Sequence, residues 1–279
     1  SGQKTKKEKF AGAEDTYSIE AMMLDGKSLQ AGTSHYLGQH FAKPFNIRFL
    51  DRDGTHKYVY QTSWGVTTRL IGALIMVHGD KRGLVLPPKV APIEAVIIPI
   101  AAHKAGVLEK ADELLNALKS QGIRAKVDNS DASPGWKFNE YEMKGVPIRI
   151  EIGPRDIQNG VAVVVRRDTL EKTTLKLDNI ASEISILLEK IQTDMYVKAK
   201  DFLDSHIEVV NNLNEMEQAV NNKHFALSMW CGENACEEKV KEKMQATSRN
   251  MPFDQTPCGD TCAVCGKKAK HKIYWGRAY

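Results

Sequence analysis

The spacing of apolar and polar positions divides the chain into three stretches, of which the first covers residues 1–90. Short alternating runs around the turn signal Leu24–Gly26 are typical of antiparallel strands. The predicted strands are Tyr17–Met23, Lys27–Thr33, Asn46–Leu50 and Lys57–Thr62. An apolar run at Thr67–His78 predicts a buried helix that ends at Gly79. Prolines at positions 87, 88 and 92 mark the end of this stretch.

In the second stretch, residues 91–192, apolar runs alternate with amphipathic segments, which indicates an α/β layer. Ala95–Ile100 is continuously apolar, as in a buried strand. Val107–Ser120 carries its leucines and alanines on one helical face, and Gly122 follows it as a stop signal. The other predicted elements are strands Ile123–Val127, Ile148–Ile152, Val161–Val165 and Thr173–Leu177, and helix Trp136–Met143.

The third stretch, residues 193–279, predicts a small α+β domain that contains all five cysteines. A long helix over Asn179–Leu203 leads into it, with apolar positions at helical spacing. The expected fold class is therefore a multi-domain α/β protein, with domains at 1–90, 91–192 and 193–279.

Composition and charge restrict the possible classes of protein only slightly. The chain of 279 residues has a net charge of +4 and a pI near 8.6, which is compatible with RNA binding without indicating it. No apolar run approaches the roughly 18–20 residues of a membrane span, and no apolar segment follows the basic KTKKEK to form a signal peptide. Five cysteines, all late in the chain, suit a reducing compartment and metal binding better than disulfides, so we predict a cytoplasmic location.

The cysteine spacing predicts a metal site. Cys231 and Cys236 form one knuckle, and Cys258, Cys262 and Cys265 supply the other. Four thiolates are a usual tetrahedral set for structural Zn²⁺, and a site closed by four cysteines has no open position for catalysis. Because Cys262 and Cys265 have the C-x2-C spacing of a tight turn, we leave Cys258 out. The alternative is that these are scattered thiols of the core.

One arginine stands out in the predicted helix Thr67–His78. Arg69 lies among apolar neighbours, and Asp80 is the first acidic residue after it. If Arg69 is buried, it needs an anionic partner, because an unpaired buried charge is costly. That partner is either a carboxylate from elsewhere in the chain or a phosphate, which arginine meets in a fork geometry. The pattern leaves both open.

Several longer motifs resemble one family in the same order. They are SWGVTTR, MVHGD and GLVLPP between residues 63 and 88, then EKFAGA, EAMM and LQAGTSHYLGQ upstream, SPGWKFNEYEMKGVPIRIEIGPRD at 133–156, and the terminal GRAY. The first group resembles motif 3 of a class II aminoacyl-tRNA synthetase. Over nearly the whole chain the sequence is similar to prolyl-tRNA synthetases of the eukaryotic/archaeal type, which carry a C-terminal zinc domain.

The resemblance implies an architecture and an activity. It implies part of a class II antiparallel catalytic sheet in 1–90, an α/β anticodon-binding domain in 91–192 and the zinc domain in 193–279. The implied reaction is the ATP-dependent activation of L-proline and its transfer to tRNA(Pro), with Mg²⁺ and Zn²⁺ as cofactors. Motifs 1 and 2 are not found, so we expect the C-terminal portion of a longer protein that is a homodimer at full length. By itself this chain is expected to be inactive, or to act as a non-catalytic module that binds the tRNA anticodon.

The resemblance also assigns residues of the adenylation site. It implies Arg69 as the catalytic arginine of motif 3, and Gln30 as a contact of both ATP and Mg²⁺. The implied ATP-binding set is Gln30, Thr33, Thr67 and Arg69, and the implied proline-binding set is Phe10, His35, Ser63, Trp64 and Gly65. The alternatives are a structural role for His35 and core positions for Phe10 and Trp64. The family's zinc cysteines fall on Cys231, Cys236, Cys262 and Cys265.

Anticodon recognition is the other implied site. Prolyl tRNAs share two anticodon guanines, which suit an arginine fork, a carboxylate acceptor and an aromatic beneath the base. The implied contacts are Phe138, Glu142, Arg149, Asp156 and Lys172. Without the resemblance, Glu142 and Arg149 are better interpreted as a surface ion pair.

The last expectation concerns the position of the terminal tyrosine, Tyr279. The resemblance suggests that the chain end folds back, so that the carboxylate of Tyr279 approaches Phe10, Trp64 and His35. The alternative is that Tyr279 only fastens the zinc domain to its neighbour.

Overall fold

The computed structural model describes all 279 residues, which form two compact units. The first unit combines Ser1–Ala73 with Phe202–Tyr279, and the second is Leu74–Asp201. The sequence predicted three domains, with the two terminal stretches apart, whereas here they belong to one unit. The domain boundaries at 90 and 192 stay a prediction.

The N-terminal part of the first unit is built from antiparallel strands, as predicted. The strands are β1 (Gly2–Gln3), β2 (Asp15–Met22), β3 (Ser28–Gly38), β4 (Arg48–Leu50), β5 (His56–Tyr58) and β6 (Gln61–Val66). Strands β2 and β3 form the predicted hairpin, and Gly26 in its turn has a φ of 80°, which a residue without a Cβ adopts at little cost. Strands β4 and β5 pair separately.

Two features of this segment differ from the prediction. Strand β6 was not foreseen, since QTSWGV lacks a buried apolar face and its only strand partner is β3. Helix α1 (Arg69–His78) begins two residues later than predicted, and Ala73 is its only buried residue. The prediction of a buried helix was therefore wrong, because apolar composition alone does not decide whether neighbouring elements cover a face.

The second unit has the predicted α/β character. Its elements are β7 (Ala95–Pro99), α2 (Val107–Ser120), β8 (Ala125–Val127), α3 (Pro134–Met143), β9 (Ile148–Ile152), α4 (Pro154–Gln158), β10 (Val161–Arg166), β11 (Lys172–Lys176) and most of α5 (Ile180–Ser205). The sheet order is β11-β10-β9-β7-β8, in which β7 is parallel to β8 and β9, and β10 is antiparallel to its neighbours. The bounds of α2 and β9 agree with the prediction, whereas α4 is too short to give a periodic signal.

Burial on both faces explains the continuous apolar run of β7. Ile97 packs in the cluster formed with α2 and α5, while Val96 and Ile98 pack with Tyr141 of α3 on the other side. Helix α3 is thus placed on the sheet face opposite α2. Although α5 has 26 residues, no helix of the structure combines the length and apolarity needed to cross a membrane.

The C-terminal part of the first unit contains a second sheet. Its elements are β12 (Ile207–Val209), α6 (Leu213–Asn221), β13 (Phe225–Trp230), α7 (Asn234–Met244), β14 (Thr247–Ser248), β15 (Met251–Pro252) and β16 (His271–Gly276). Strands β12, β13, β16 and β14 form that sheet around the buried Trp275, while β15 pairs with β1 and extends the N-terminal sheet to β15-β1-β2-β3-β6.

A buried ion pair links the segment after β1 to β2. Lys4 Nζ lies 2.6 Å from Glu20 Oε1, and both side chains are less than 5 % exposed, at 3 % and 4 %. Glu20 also accepts hydrogen bonds from Ser28 Oγ at 2.7 Å and Ser18 Oγ at 3.0 Å. The carboxylate therefore has several donors that offset its loss of water.

Replacing Lys4 by methionine, an unbranched residue of similar length, should lower the free energy of unfolding by about 3–5 kcal/mol. The reason is that Glu20 would remain buried without its nearest cation, since the other one, Arg249 Nη1, lies 3.9 Å from Oε2. Urea unfolding followed by circular dichroism measures the change. Lys57→Met is the control, because Lys57 pairs with Asp53 at 2.8 Å in an exposed turn, and such pairs contribute about 0–1 kcal/mol. Equal, small losses in both variants would contradict the importance of the Lys4 pair.

Candidate functional site

Four cysteine side chains converge in the C-terminal part of the first unit. The Sγ atoms of Cys231, Cys236, Cys262 and Cys265 all lie within 4.8 Å of one another. The Sγ–Sγ separations are 3.6 Å for Cys231–Cys236, 4.0 Å for Cys236–Cys262 and 3.7 Å for Cys231–Cys265. A tetrahedral ion with metal–sulfur bonds of about 2.3 Å requires sulfurs about 3.8 Å apart. The donor set and its spacing fit a closed zinc site, and Cys258 lies outside the cluster.

Local structure explains how the knuckles form. Cys231 follows β13, Cys236 lies in the first turns of α7, and the remaining pair precedes β16. Gly232 and Gly266, each directly after a cysteine of the cluster, have φ values of 89° and 72°. These left-handed turns favour glycine over residues with a Cβ.

The thiols of the cluster differ in acidity. Burial raises the pKa of Cys231 and of Cys236, because a thiolate is disfavoured away from water. A hydrogen bond from the backbone N–H of Lys267 lowers the pKa of the exposed Cys265 to about 7. A bound cation would stabilise the thiolate form of all of them.

A groove between β3, β6 and the start of α1 collects the four residues of the expected ATP-binding set. Gln30, Thr33, Thr67 and Arg69 line it together with Gly32, Gly65 and Val66, around a volume of about 290 Å³. These residues come from three elements of the first unit, so the sheet pairing, not sequence proximity, brings them together. The groove is open to solvent and suits a charged ligand.

Arg69 does not occupy the environment that the sequence predicted. It is exposed at the first position of α1, and its backbone N–H donates to Thr67 Oγ1 at 3.1 Å. Its guanidinium has no carboxylate partner, since Asp80 binds Arg167. The expected burial is corrected for the same reason as that of α1: the apolar neighbours of Arg69 are themselves largely uncovered.

The residues of the expected proline site separate onto two faces of the sheet. His35 pairs with Ser63, and Thr33 pairs with Gly65, so these positions share one face. The ring of Phe10 lies 4.8 Å from that of His35, whose Nδ1 is 3.0 Å from Thr16 Oγ1. The structure therefore brings Phe10, His35, Ser63 and Gly65 to the face that carries Thr33.

Trp64 does not join them. It pairs with Ser34 and lies on the opposite face, where it borders an apolar groove with Tyr17, Ile19 and Phe253. Phe10 and Trp64 are 49 % and 78 % exposed, which excludes the alternative that they are core aromatics.

In the second unit, three of the five expected anticodon residues are in contact. The guanidinium of Arg149 lies 4.2 Å from the ring centre of Phe138, and its Nη1 donates to Glu142 Oε1 at 3.0 Å. Its Nε donates to Glu151 Oε1 at 3.0 Å. Arg149 and Glu142 form an ion pair, as the alternative predicted. The pair does not lie on the surface, however, because Arg149 is only 7 % exposed.

The other two expected anticodon residues are not bonded to this group. Asp156 Oδ2 accepts the backbone N–H of Gly153 at 2.8 Å and so caps α4. Lys172 is exposed at the start of the edge strand β11.

Sequence reasoning missed the arginines that surround Glu142. Arg82 Nη1 lies 3.1 Å from Glu142 Oε2, and Arg167 Nε donates to the Glu142 carbonyl at 2.8 Å. Burial raises the pKa of Glu142, but the hydrogen bonds from Arg149 and Arg82 more than offset this and hold it below the ordinary value. Nothing in the local sequence signals these long-range contacts.

The chain end folds back, but not to the place that was expected. Tyr279 donates its hydroxyl to Asp25 Oδ2 at 2.7 Å, and Lys27 Nζ lies 4.7 Å from its ring centre. Its backbone N–H donates to the Ser28 carbonyl. His35 is seven positions further along β3, which is about 23 Å at strand spacing. The expected approach of the Tyr279 carboxylate to Phe10 and His35 was therefore wrong, and the fastening role is the one that the contacts fit.

Two segments of the chain match models of known protein families. Residues 94–187 match the family model described as "Anticodon binding domain", and residues 213–279 match "Prolyl-tRNA synthetase, C-terminal". The first match covers the unit that holds the Phe138–Arg149–Glu142 group, and the second covers the cysteine cluster. Together with the fold, they define the chain as part of an aminoacyl-tRNA synthetase.

Individual relatives define it further. The chain is 57% identical over 279 residues to a proline--tRNA ligase of Clostridium botulinum (strain Langeland), 57% to that of Lachnoclostridium phytofermentans and 56% to that of Lachnospira eligens. It belongs to the prolyl-tRNA synthetase family and carries its C-terminal portion. In each case the alignment covers 100% of this chain and 58% of the relative, so the chain spans somewhat more than half of the relatives' length. These relatives are bacterial, and the eukaryotic/archaeal type remains a prediction about architecture.

We propose that the cysteine cluster holds one zinc ion, and we expect elemental analysis to find one Zn²⁺ per chain. Cys236→Ser should lose the metal and lower the melting temperature, because a structural zinc site contributes folding free energy directly. Cys258→Ser is the matched control and should retain the metal. Metal loss in the Cys258 variant, with retention in the Cys236 variant, would show that the ligand set is wrong.

Proposed function

We propose that this chain recognises tRNA(Pro) and supplies part of the site at which a prolyl-tRNA synthetase activates L-proline with ATP. In that reaction the carboxylate of proline attacks the α-phosphate of ATP and expels pyrophosphate, after which the prolyl group passes to the tRNA. The observation that supports this most is the groove lined jointly by Gln30, Thr33, Thr67 and Arg69.

The groove suits a nucleotide for electrostatic reasons. Arg69 presents an unpaired guanidinium at the N-terminus of α1, where the helix dipole also favours an anion. A phosphate can accept two parallel hydrogen bonds from such a fork. Gly32 and Gly65 leave room for close approach along the strands. Mg²⁺ would neutralise phosphate charge, and the amide oxygen of Gln30 is a hard donor of the kind that it prefers.

The proline site would lie on the same sheet face. Phe10 and His35 form a partly exposed wall against which a pyrrolidine ring could pack, and Ser63 and Gly65 border it without bulky side chains. Thr16 holds the ring of His35 through Nδ1. Trp64 would have to act from the other face, so its role in proline binding stays a prediction.

Anticodon recognition is supported by the stacked group in the second unit. Glu142 can accept from the N1 and N2 donors of guanine, and Arg149, whose Nη1 and Nε bind Glu142 and Glu151, would hold that carboxylate in place. The parts assigned to Asp156 and Lys172 remain predictions, as do the homodimer and the cytoplasmic location.

Proline-dependent ATP–pyrophosphate exchange separates the enzyme from a non-catalytic anticodon-binding module. We expect exchange by a protein of the relatives' full length that carries this sequence, and tRNA(Pro) binding by both that protein and the 279-residue chain. If the longer protein binds tRNA(Pro) but shows no ATP–pyrophosphate exchange, only the role of a non-catalytic anticodon-binding module remains.

Arg69→Ala in the longer protein should lower the exchange rate by about 10²–10³-fold, the usual cost of removing one donor that stabilises developing charge. Binding of tRNA(Pro), measured by filter retention, should be unchanged. Arg52→Ala is the control, because Arg52 is an exposed arginine of the β4–β5 turn. Equal exchange rates in the two variants would show that Arg69 does not serve the reaction.

Arg149→Lys should weaken tRNA(Pro) binding by about 1–3 kcal/mol, since lysine keeps the charge beside Glu142 and Glu151 but loses the fork. Exchange in the absence of tRNA should survive. Arg155→Lys, at an exposed position of α4, is the control. Wild-type affinity in Arg149→Lys would contradict the anticodon assignment.

A further inference from the structure

The end of helix α3, where Glu142 lies, is held by a buried arginine that cannot itself reach a ligand. Arg167 is 3 % exposed, and its Nε donates to the carbonyl of Glu142 at 2.8 Å. Its Nη1 and Nη2 donate to the two carboxylate oxygens of Asp80 at 2.8 and 2.6 Å. One guanidinium therefore ties Asp80 to the backbone of Glu142.

The segment after Asp80 completes this attachment. The last carbonyls of a helix have no partner within the helix. Here the N–H of Leu84 donates to the Met143 carbonyl at 3.0 Å, and the N–H of Leu86 donates to the Gly145 carbonyl at 3.2 Å. Gly83 lies so close that a Cβ would come within 2.6 Å of the Met143 carbonyl oxygen. The end of α3 is thus held by Arg167 and by the segment 80–86.

The carboxylate of Glu142 is oriented from two sides. Arg149 binds Oε1 at 3.0 Å, and Arg82 of the same segment binds Oε2 at 3.1 Å. The Arg82 side chain is 57 % exposed, and pairs of that kind contribute little. The bidentate pair of the buried Arg167 with Asp80, whose side chain is 41 % exposed, is the stronger constraint, because charge-assisted fork contacts are short and directional. Its strength is also visible in Asp80, whose pKa the hydrogen bonds from Arg167 lower to about 2.

We propose that Arg167, held by Asp80, is a positioning residue for anticodon recognition, which sets the backbone of Glu142 so that its carboxylate meets guanine. The inference rests on the proposed anticodon role of Glu142 and Arg149. A guanine edge presents two donors in a fixed geometry, so the two carboxylate oxygens must be held to within about 0.5 Å. Arg167 acts through Glu142 and does not touch RNA.

The neighbouring residue provides a matched control. Arg166 is also buried, at 5 % exposure, and it binds Asp168 through two hydrogen bonds of 3.0 and 2.6 Å and Asp194 through one of 2.8 Å. None of these bonds reaches α3. Arg166→Lys and Arg167→Lys each replace a buried fork by a single ammonium group, but only the second releases the carbonyl of Glu142.

The test measures guanine preference on the 279-residue chain by fluorescence anisotropy. The probes are an anticodon stem-loop RNA that contains the two guanines and the same RNA with inosine in their place, which lacks the 2-amino donor. We expect Arg167→Lys to reduce the ratio of the two dissociation constants about fivefold or more, in line with the loss of one good base contact. Arg166→Lys should keep the ratio within about twofold, at a comparable melting temperature.

Asp80→Asn is the second variant, used if Arg167→Lys does not fold by circular dichroism, and it should lower the ratio in the same direction. Equal ratios in the Arg166 and Arg167 variants, or a wild-type ratio in a folded Asp80→Asn, would overturn the positioning role. Arg149→Lys distinguishes this from failure of the anticodon assignment: if it too retains the wild-type ratio, Glu142 and Arg149 do not read guanine, and the positioning role is overturned with that assignment.

Discussion

The first unit depends on the pairing of β1 with β15, which joins its N-terminal part to its C-terminal part. Gly2 lies opposite Pro252, and a Cβ on Gly2 would come within 2.1 Å of the Met251 carbonyl oxygen. Two strands of two residues each cannot be stable alone, so their ladder needs additional contacts. The buried pair of Lys4 with Glu20 supplies one of them, directly after β1. Through this junction the sheet that carries the groove of Gln30, Thr33, Thr67 and Arg69 and the part that carries the cysteine cluster belong to one compact unit.

Sheet register then decides which residues can act together. Because side chains alternate across a strand, the pairing of His35 with Ser63 assigns one set of residues to the face that carries Thr33 and Trp64 to the other. A shift of one residue would exchange the two sets. The groove that Thr33 and Arg69 line and the contact between Phe10 and His35 lie on the same side of the sheet for this reason, although Phe10 precedes β2 and Arg69 follows β6 in the chain.

In the second unit, buried charged groups position the residues of the candidate site. Arg149 and Arg167 are both almost inaccessible, and each is satisfied by carboxylates or carbonyls at 2.6–3.0 Å. Such groups are costly to bury but strongly directional once paired. They give α3 a defined end and give Glu142 a defined orientation, which is the property that base recognition requires.

The sequence by itself determined the elements whose signal is local. The amphipathic period of Val107–Ser120 and the apolar run of Ile148–Ile152 gave the observed bounds, and the cysteine spacing selected the four thiols that converge. The family motifs selected Gln30, Thr33, Thr67 and Arg69, which share one groove.

Only the tertiary structure decided what depends on distant partners. Five features follow from which segments pack together. They are the exposure of Arg69, the strand β6, the face of Trp64, the position of Tyr279 and the contacts of Arg167. A local pattern records how a segment prefers to fold, but burial and ion pairing are properties of segments that lie far apart in the chain. Arg167 and Asp80 are 87 positions apart, and no spacing rule connects them.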